Sequence, residues 1–79
     1  VRDLPGLAAA YCHGLARGHP YVDGNMRIGF LAMAAFLDMN GLALNASDEE
    51  VVRVMRGVAA GVVSEAELAA WIRATVWPA

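Results

Sequence analysis

The sequence predicts an all-α fold, a small bundle of about four helices, on three observations. Apolar residues recur at helical spacing through four stretches. Two of those stretches open on a Ser-x-x-Glu pattern that closes a helix N-terminus, and three end at a glycine. Seventy-nine residues suit one domain, taken as residues 1–79, and a chain of that length buries only about 60% of its unfolded surface. Yet 58% of the residues are apolar, so one face is expected to be covered by something beyond them, either further polypeptide or a partner.

The elements follow in order. Asp3 and Pro5 form a helix cap and first turn, and Leu4, Leu7, Ala8, Tyr11 and Leu15 then repeat at helical spacing until Gly18. His13 lies off that stripe and reads as a surface or half-buried side chain. A loop from His19 to Gly24 leads into a second helix over about Asn25 to Met39. Its stripe is Ile28, Leu31, Ala32, Ala35, Phe36 and Met39, with Phe30, Met33 and Leu37 filling much of the remainder. A helix apolar nearly all round is expected at the centre of a bundle. Asn40-Gly41 stops it, and Leu42–Leu44 is a short connector. Ser47 with Glu50 opens a third helix over Asp48–Ala60, turning Val51, Val52, Met55, Val58 and Ala59 inward and leaving Arg53 and Arg56 to solvent. Ser64 with Glu67 opens a fourth over Glu65–Val76, packing through Leu68, Trp71, Ile72 and Thr75, and Pro78 forbids its continuation. Asp48, Glu49, Glu50, Glu65 and Glu67 sit in first turns, where they oppose the positive end of the helix dipole rather than serve chemistry.

Composition excludes several functions. The net charge is −2, and the only cations are arginines at 2, 17, 27, 53, 56 and 73, scattered without a stripe for nucleic acid. The longest apolar run, Ile28 to Leu37, falls well short of the ~20 residues of a membrane span. Cys12 has no internal disulfide partner, which points to a reducing, cytoplasmic compartment, and it reads as a small buried hydrophobe.

Chemistry concentrates in His19-Pro20-Tyr21-Val22-Asp23-Gly24-Asn25-Met26-Arg27, which gathers a base, a carboxylate, a glycine and a cation at the mouth of the second helix. Unpartnered N–H groups and the helix dipole suit a phosphate there. Gly24 lets backbone approach an anion, Asn25 adds an amide and Arg27 can fork onto phosphate oxygens. An imidazole such as His19, whose ordinary pKa is about 6.5, can take a proton from an attacking hydroxyl. A lone carboxylate, Asp23, suits Mg²⁺, which completes its shell with water and substrate phosphates.

These nine residues resemble the signature of the Fic/Doc family, His-Pro-Phe-x-Asp/Glu-Gly-Asn-Gly/Lys-Arg, and the flanks are most similar to its Doc (death-on-curing) branch. Ala16-Arg17-Gly18 resembles the lead-in, Phe36-Leu37-Asp38-Met39-Asn40-Gly41-Leu42 the Phe-Leu-x-x-Asn-Gly run, and Ala59-Ala60-Gly61 and Glu67-Leu68-Ala69-Ala70-Trp71 the C-terminal helices. The resemblance implies a Fic/Doc-like core lacking its N-terminal part, a further helix or helices and a β-hairpin flap. It also implies a toxin of a toxin–antitoxin pair that moves a phosphoryl or AMP group from ATP, with Mg²⁺, to a hydroxyl of a target protein. In the Doc branch that target is a translation elongation factor. His19 takes the base role, Asp23 the metal, and Gly24, Asn25, position 26 and Arg27 the phosphates. An antitoxin helix in an apolar groove is the implied inhibitor, since the sequence has no match to the family's inhibitory Ser/Thr-x-x-x-Glu-Gly/Asn helix. Met26 departs from the pattern, standing where the branches carry glycine or lysine, and it supplies no cation. A degenerate scaffold that only binds nucleotide or antitoxin is the competing expectation.

Overall fold

The computed structural model describes residues 4–16 and 22–79, with side chains from Arg27 onward in the second stretch. Four helices form as the sequence predicts: α1 (Leu4–Ala16), α2 (Val22–Met39), α3 (Asp48–Ala59) and α4 (Glu65–Thr75). Two short strands, β1 (Leu42–Leu44) and β2 (Val76–Pro78), join them as an antiparallel pair in which Ala43 lies opposite Trp77. Among the described residues no helix is long and apolar enough to cross a membrane.

The buried face of α1 is not the expected stripe of large side chains. Ala8, Ala9, Cys12 and Ala16 are buried, while Tyr11 and Leu15 lie exposed at the edge. The reason is the separation of α1 from α2. Gly29 of α2 comes so near that an added Cβ would stand 2.8 Å from the Cys12 carbonyl oxygen and 3.2 Å from the Ala16 Cβ. Only small residues on both helices permit such an approach, so the large apolar residues are displaced to the flanks. Tyr11 then sets its ring edge-on to Phe36 across the junction, with centroids 5.4 Å apart.

The same packing corrects the expected position of α2. Helix α1, not α2, holds the middle, packing chiefly on α2 and α4 and also touching α3. Helix α2 buries one face through Gly29, Met33 and Leu37, spaced four residues apart. Its other face carries Ile28 (54% exposed), Leu31 (58%) and Met39 (83%), residues that the sequence predicts to be inside. The core is completed by Met55 and Val58 of α3 and Leu68 and Ile72 of α4. Val52, also predicted inward, is 45% exposed among Asp48, Glu49, Arg53 and Arg56, because only a narrow strip of α3 reaches the core.

Helix ends follow their local chemistry. Gly41 and Gly61 adopt φ of +75° and +81°, the left-handed conformation that closes α2 and α3. Asn40 assists by donating its side-chain amide to the Phe36 carbonyl at 2.8 Å. At α4 the predicted capping box is complete: Ser64 Oγ accepts from the Glu67 N–H at 3.1 Å, and the Ser64 N–H donates to Glu67 Oε1 at 2.9 Å. At α3 only half of it forms. Ser47 Oγ accepts from the Glu50 N–H, but the Glu50 carboxylate instead accepts the Trp71 indole N–H at 2.7 Å. A half-buried indole donor needs a partner, and this one ties α3 to α4.

The expected connector Leu42–Leu44 is a strand because the other end of the chain pairs with it. Helix α4 ends at Thr75, one residue short of the prediction, and Val76 turns extended with φ −75° and ψ 147°. Proline biases the residue before it away from helix, so the segment leading to Pro78 is free to pair with β1. Bonds from the Asn45 N–H to the Thr75 carbonyl (2.7 Å) and from the Ala79 N–H to the Gly41 carbonyl (2.9 Å) extend the ladder at both ends.

Two tests probe this packing. Gly29→Ala forces a Cβ against main chain that no rotamer change can relieve, so it lowers stability in urea unfolding by roughly 1–2 kcal/mol, overpacking outweighing the gain in helix propensity. Gly14→Ala, where an added Cβ meets nothing within 4 Å, raises it by about 0.5–1 kcal/mol. The bond from the Ser64 N–H, then that from its hydroxyl, holds the Glu67 carboxyl below its ordinary 4.5. A folded pKa below the unfolded one stabilises above the unfolded value and ceases to do so as pH falls through the folded one. The stability gap between wild type and Glu67→Ala is therefore full at neutral pH and closes on acidification below 4.5, as urea titrations over that range will measure.

Candidate functional site

Helix α2 begins at Val22, three residues before the predicted start, so Asp23 and Gly24 belong to its first turn and not to a loop. An α-helix leaves the N–H groups of its opening residues without an acceptor one turn back. Here these are Val22, Asp23 and Gly24, whereas a helix opening at Asn25, as predicted, would put them after Gly24. Asp23 and Arg27 stand four positions apart in the helix, and Arg27 is exposed. Asp23, Gly24, Asn25, Met26 and Arg27 thus all lie within the first two turns of an 18-residue helix. His19, with Pro20 and Tyr21, lies outside the described residues.

The end of α2 that carries these residues is held from beneath. Gly29, two positions beyond Arg27, packs closely on Cys12 and Ala16 of α1. Beside that contact Cys12 is fully buried, its Sγ 3.5 Å from Met55 Sδ, and burial pushes its thiol up to about 12. It is protonated at neutral pH and packs as a small apolar group, as the sequence predicts.

His13, on the last turn of α1, is half-buried, and its buried Nε2 has no hydrogen-bond partner among the described residues. A stripe read from the large apolar residues passes it by. The stripe that is actually buried, Ala9, Cys12 and Ala16, runs alongside it, and the small size of those residues was the signal available.

Among the described residues no three of His, Cys, Asp and Glu group closely enough to hold a metal by themselves. The motif offers one carboxylate, Asp23, and the amide of Asn25. That donor set fits Mg²⁺, which retains water and takes phosphate oxygens, and not Zn²⁺, which asks for three or four protein ligands.

A comparison with curated proteins gives no match. Residues 2–37 match the model of the Fic/DOC family, a span that takes in α1, the nine-residue motif and α2 as far as Leu37. The resemblances noted at Asn40-Gly41, Ala59–Gly61 and Glu67–Trp71 fall beyond the matched span. Over residues 2–37, which carry α1, the motif and α2 as far as Leu37, the chain is similar to the Fic/DOC family.

Proposed function

We propose that the chain is a Doc-like transferase that passes a phosphoryl or AMP group from ATP to a hydroxyl of a target protein. The observation that carries this is the coincidence of three features. The motif lies within the family-matched segment, its residues 23–27 occupy the first two turns of α2, and that helix end is anchored on α1 through Gly29. His19 accepts the proton of the incoming hydroxyl as its oxygen bonds to phosphorus and the bond to the departing nucleotide portion breaks. Arg27 and the Asn25 amide hold phosphate oxygens, and the N–H groups of Val22, Asp23 and Gly24 face charge that grows at the reacting phosphate. Mg²⁺, when bound at Asp23, neutralises phosphate charge.

The biological setting that goes with this chemistry is a toxin acting in the cytoplasm, with an elongation factor as the Doc-type target. Its inhibitor is an antitoxin helix, for which the exposed Ile28, Leu31 and Met39 of α2 offer an apolar seat. A second reading, a scaffold that binds nucleotide or antitoxin with little turnover, is favoured by Met26.

ATP labelled at the α or the γ phosphate, incubated with the protein and cell lysate, decides which group moves. Label enters a protein band from one of the two nucleotides, and His19→Ala abolishes it; no label from either, or label that persists in the variant, overturns the transferase. Met26→Lys restores a charge-assisted phosphate contact worth about 1.5–3 kcal/mol, so the initial transfer rate rises at least several-fold and up to about a hundredfold. Equal rates would show that position 26 does not touch phosphate.

A further inference from the structure

The β1–β2 pair has an unused edge. In an antiparallel ladder, opposed residues alternate between pairs that exchange N–H and carbonyl bonds and pairs that do not. The bonds at Gly41/Ala79 and Asn45/Thr75 place Ala43/Trp77 in the bonded set and Leu42/Pro78 and Leu44/Val76 in the other. Proline at 78 agrees, since it has no N–H to give, and the Val76 N–H instead returns to the Ile72 carbonyl. The main-chain groups of Leu42 and Leu44 therefore point away from β2. Among the described residues neither has a main-chain partner on that side.

Beside this edge lies a cleft of about 320 Å³, lined by Phe30, Ala34, Leu37 and Asp38 of α2 and by the whole of β1. The cleft is lined by α2 and β1 and by no residue of β2. The lining is apolar except for one charge, the exposed Asp38 carboxylate. A strand edge with free donors and acceptors is a template for another chain, and the neighbouring cleft gives an alternate side chain somewhere to go.

We infer that β1 takes up an extended segment of a partner protein as a third strand, with an apolar side chain in the cleft and a Lys or Arg beside Asp38. Charge selects this occupant over a second copy of the chain. A copy entering edge-first brings its own Asp38 toward the first, whereas a basic segment brings the opposite sign. Three residues of β1 limit the ladder to a few bonds, so the affinity is modest and the complex exchanges rapidly.

The test is amide NMR of the intact chain with a capped hexapeptide of alternating valine and arginine. The Leu42 and Leu44 amides shift and gain exchange protection, while the Ala43 amide, already engaged with Trp77, gains none. The same peptide methylated on alternate backbone nitrogens fails to bind, a valine–glutamate peptide binds several-fold more weakly, and Asp38→Asn removes that preference. Unshifted Leu42 and Leu44 amides at millimolar peptide, or undiminished binding of the methylated peptide, overturn the inference. So do shifts at these amides that depend on protein concentration without peptide, because they would assign the edge to a second copy.

Discussion

Everything in this small fold depends on how near α1 and α2 can come. With Gly29 set against the Cys12 carbonyl and Ala16, the two helices meet almost main chain to main chain. Close approach maximises dispersion contacts between small groups, and it asks for no side-chain entropy to be given up where alanine and glycine meet. The cost is a shortage of bulk, made good by Met33 and Leu37 farther along α2 and by Met55, Leu68 and Ile72 of α3 and α4, which fill the space around the junction. Cys12 belongs to that junction too: one atom larger than alanine in effect, it reaches Met55 with sulfur while its neighbours stay small.

That junction also governs the candidate site. Because it lies two residues past Arg27, the first turns of α2 extend from a fixed point, and the opening N–H groups of Val22, Asp23 and Gly24 are oriented with the helix axis. Precise placement of donors is what makes preorganised charge stabilisation effective, since nothing need reorganise during reaction. The C-terminal half supports this from a distance. Trp71 on Glu50 joins α4 to α3, β2 on β1 returns the chain terminus to the end of α2, and α4 packs along α1.

Existence and type of the four helices were legible because caps and glycines are local signals: Ser47, Ser64, Gly41 and Gly61 all act where the sequence places them. Facing was less legible. Hydrophobicity ranks Leu15, Ile28 and Leu31 above Ala9, Cys12 and Gly29, yet helix separation selects by size, and the small residues won the interface. The β1–β2 pair was invisible for a different reason: three-residue strands have too few positions for alternation, and the pairing joins residues more than thirty apart. Of the site, the motif was readable from residue types alone. The start of α2 was not, because the glycine at 24 signals a turn in sequence while in the structure it is simply a helical residue.

The early start of α2 changes what position 26 can contribute. In a helix opening at Val22, the Met26 N–H is directed to the Val22 carbonyl one turn back and is not available to a ligand, unlike those of residues 22–24. Whatever position 26 gives to a bound phosphate must come through its side chain. A lysine there can reach out with charge and a glycine can leave room, but methionine does neither: its thioether accepts only weakly and its bulk remains. In a loop, that loss could have been softened by main-chain donors at the same residue. Within the helical ladder it is not, so under the proposed chemistry the side chain alone sets what position 26 gives to a phosphate.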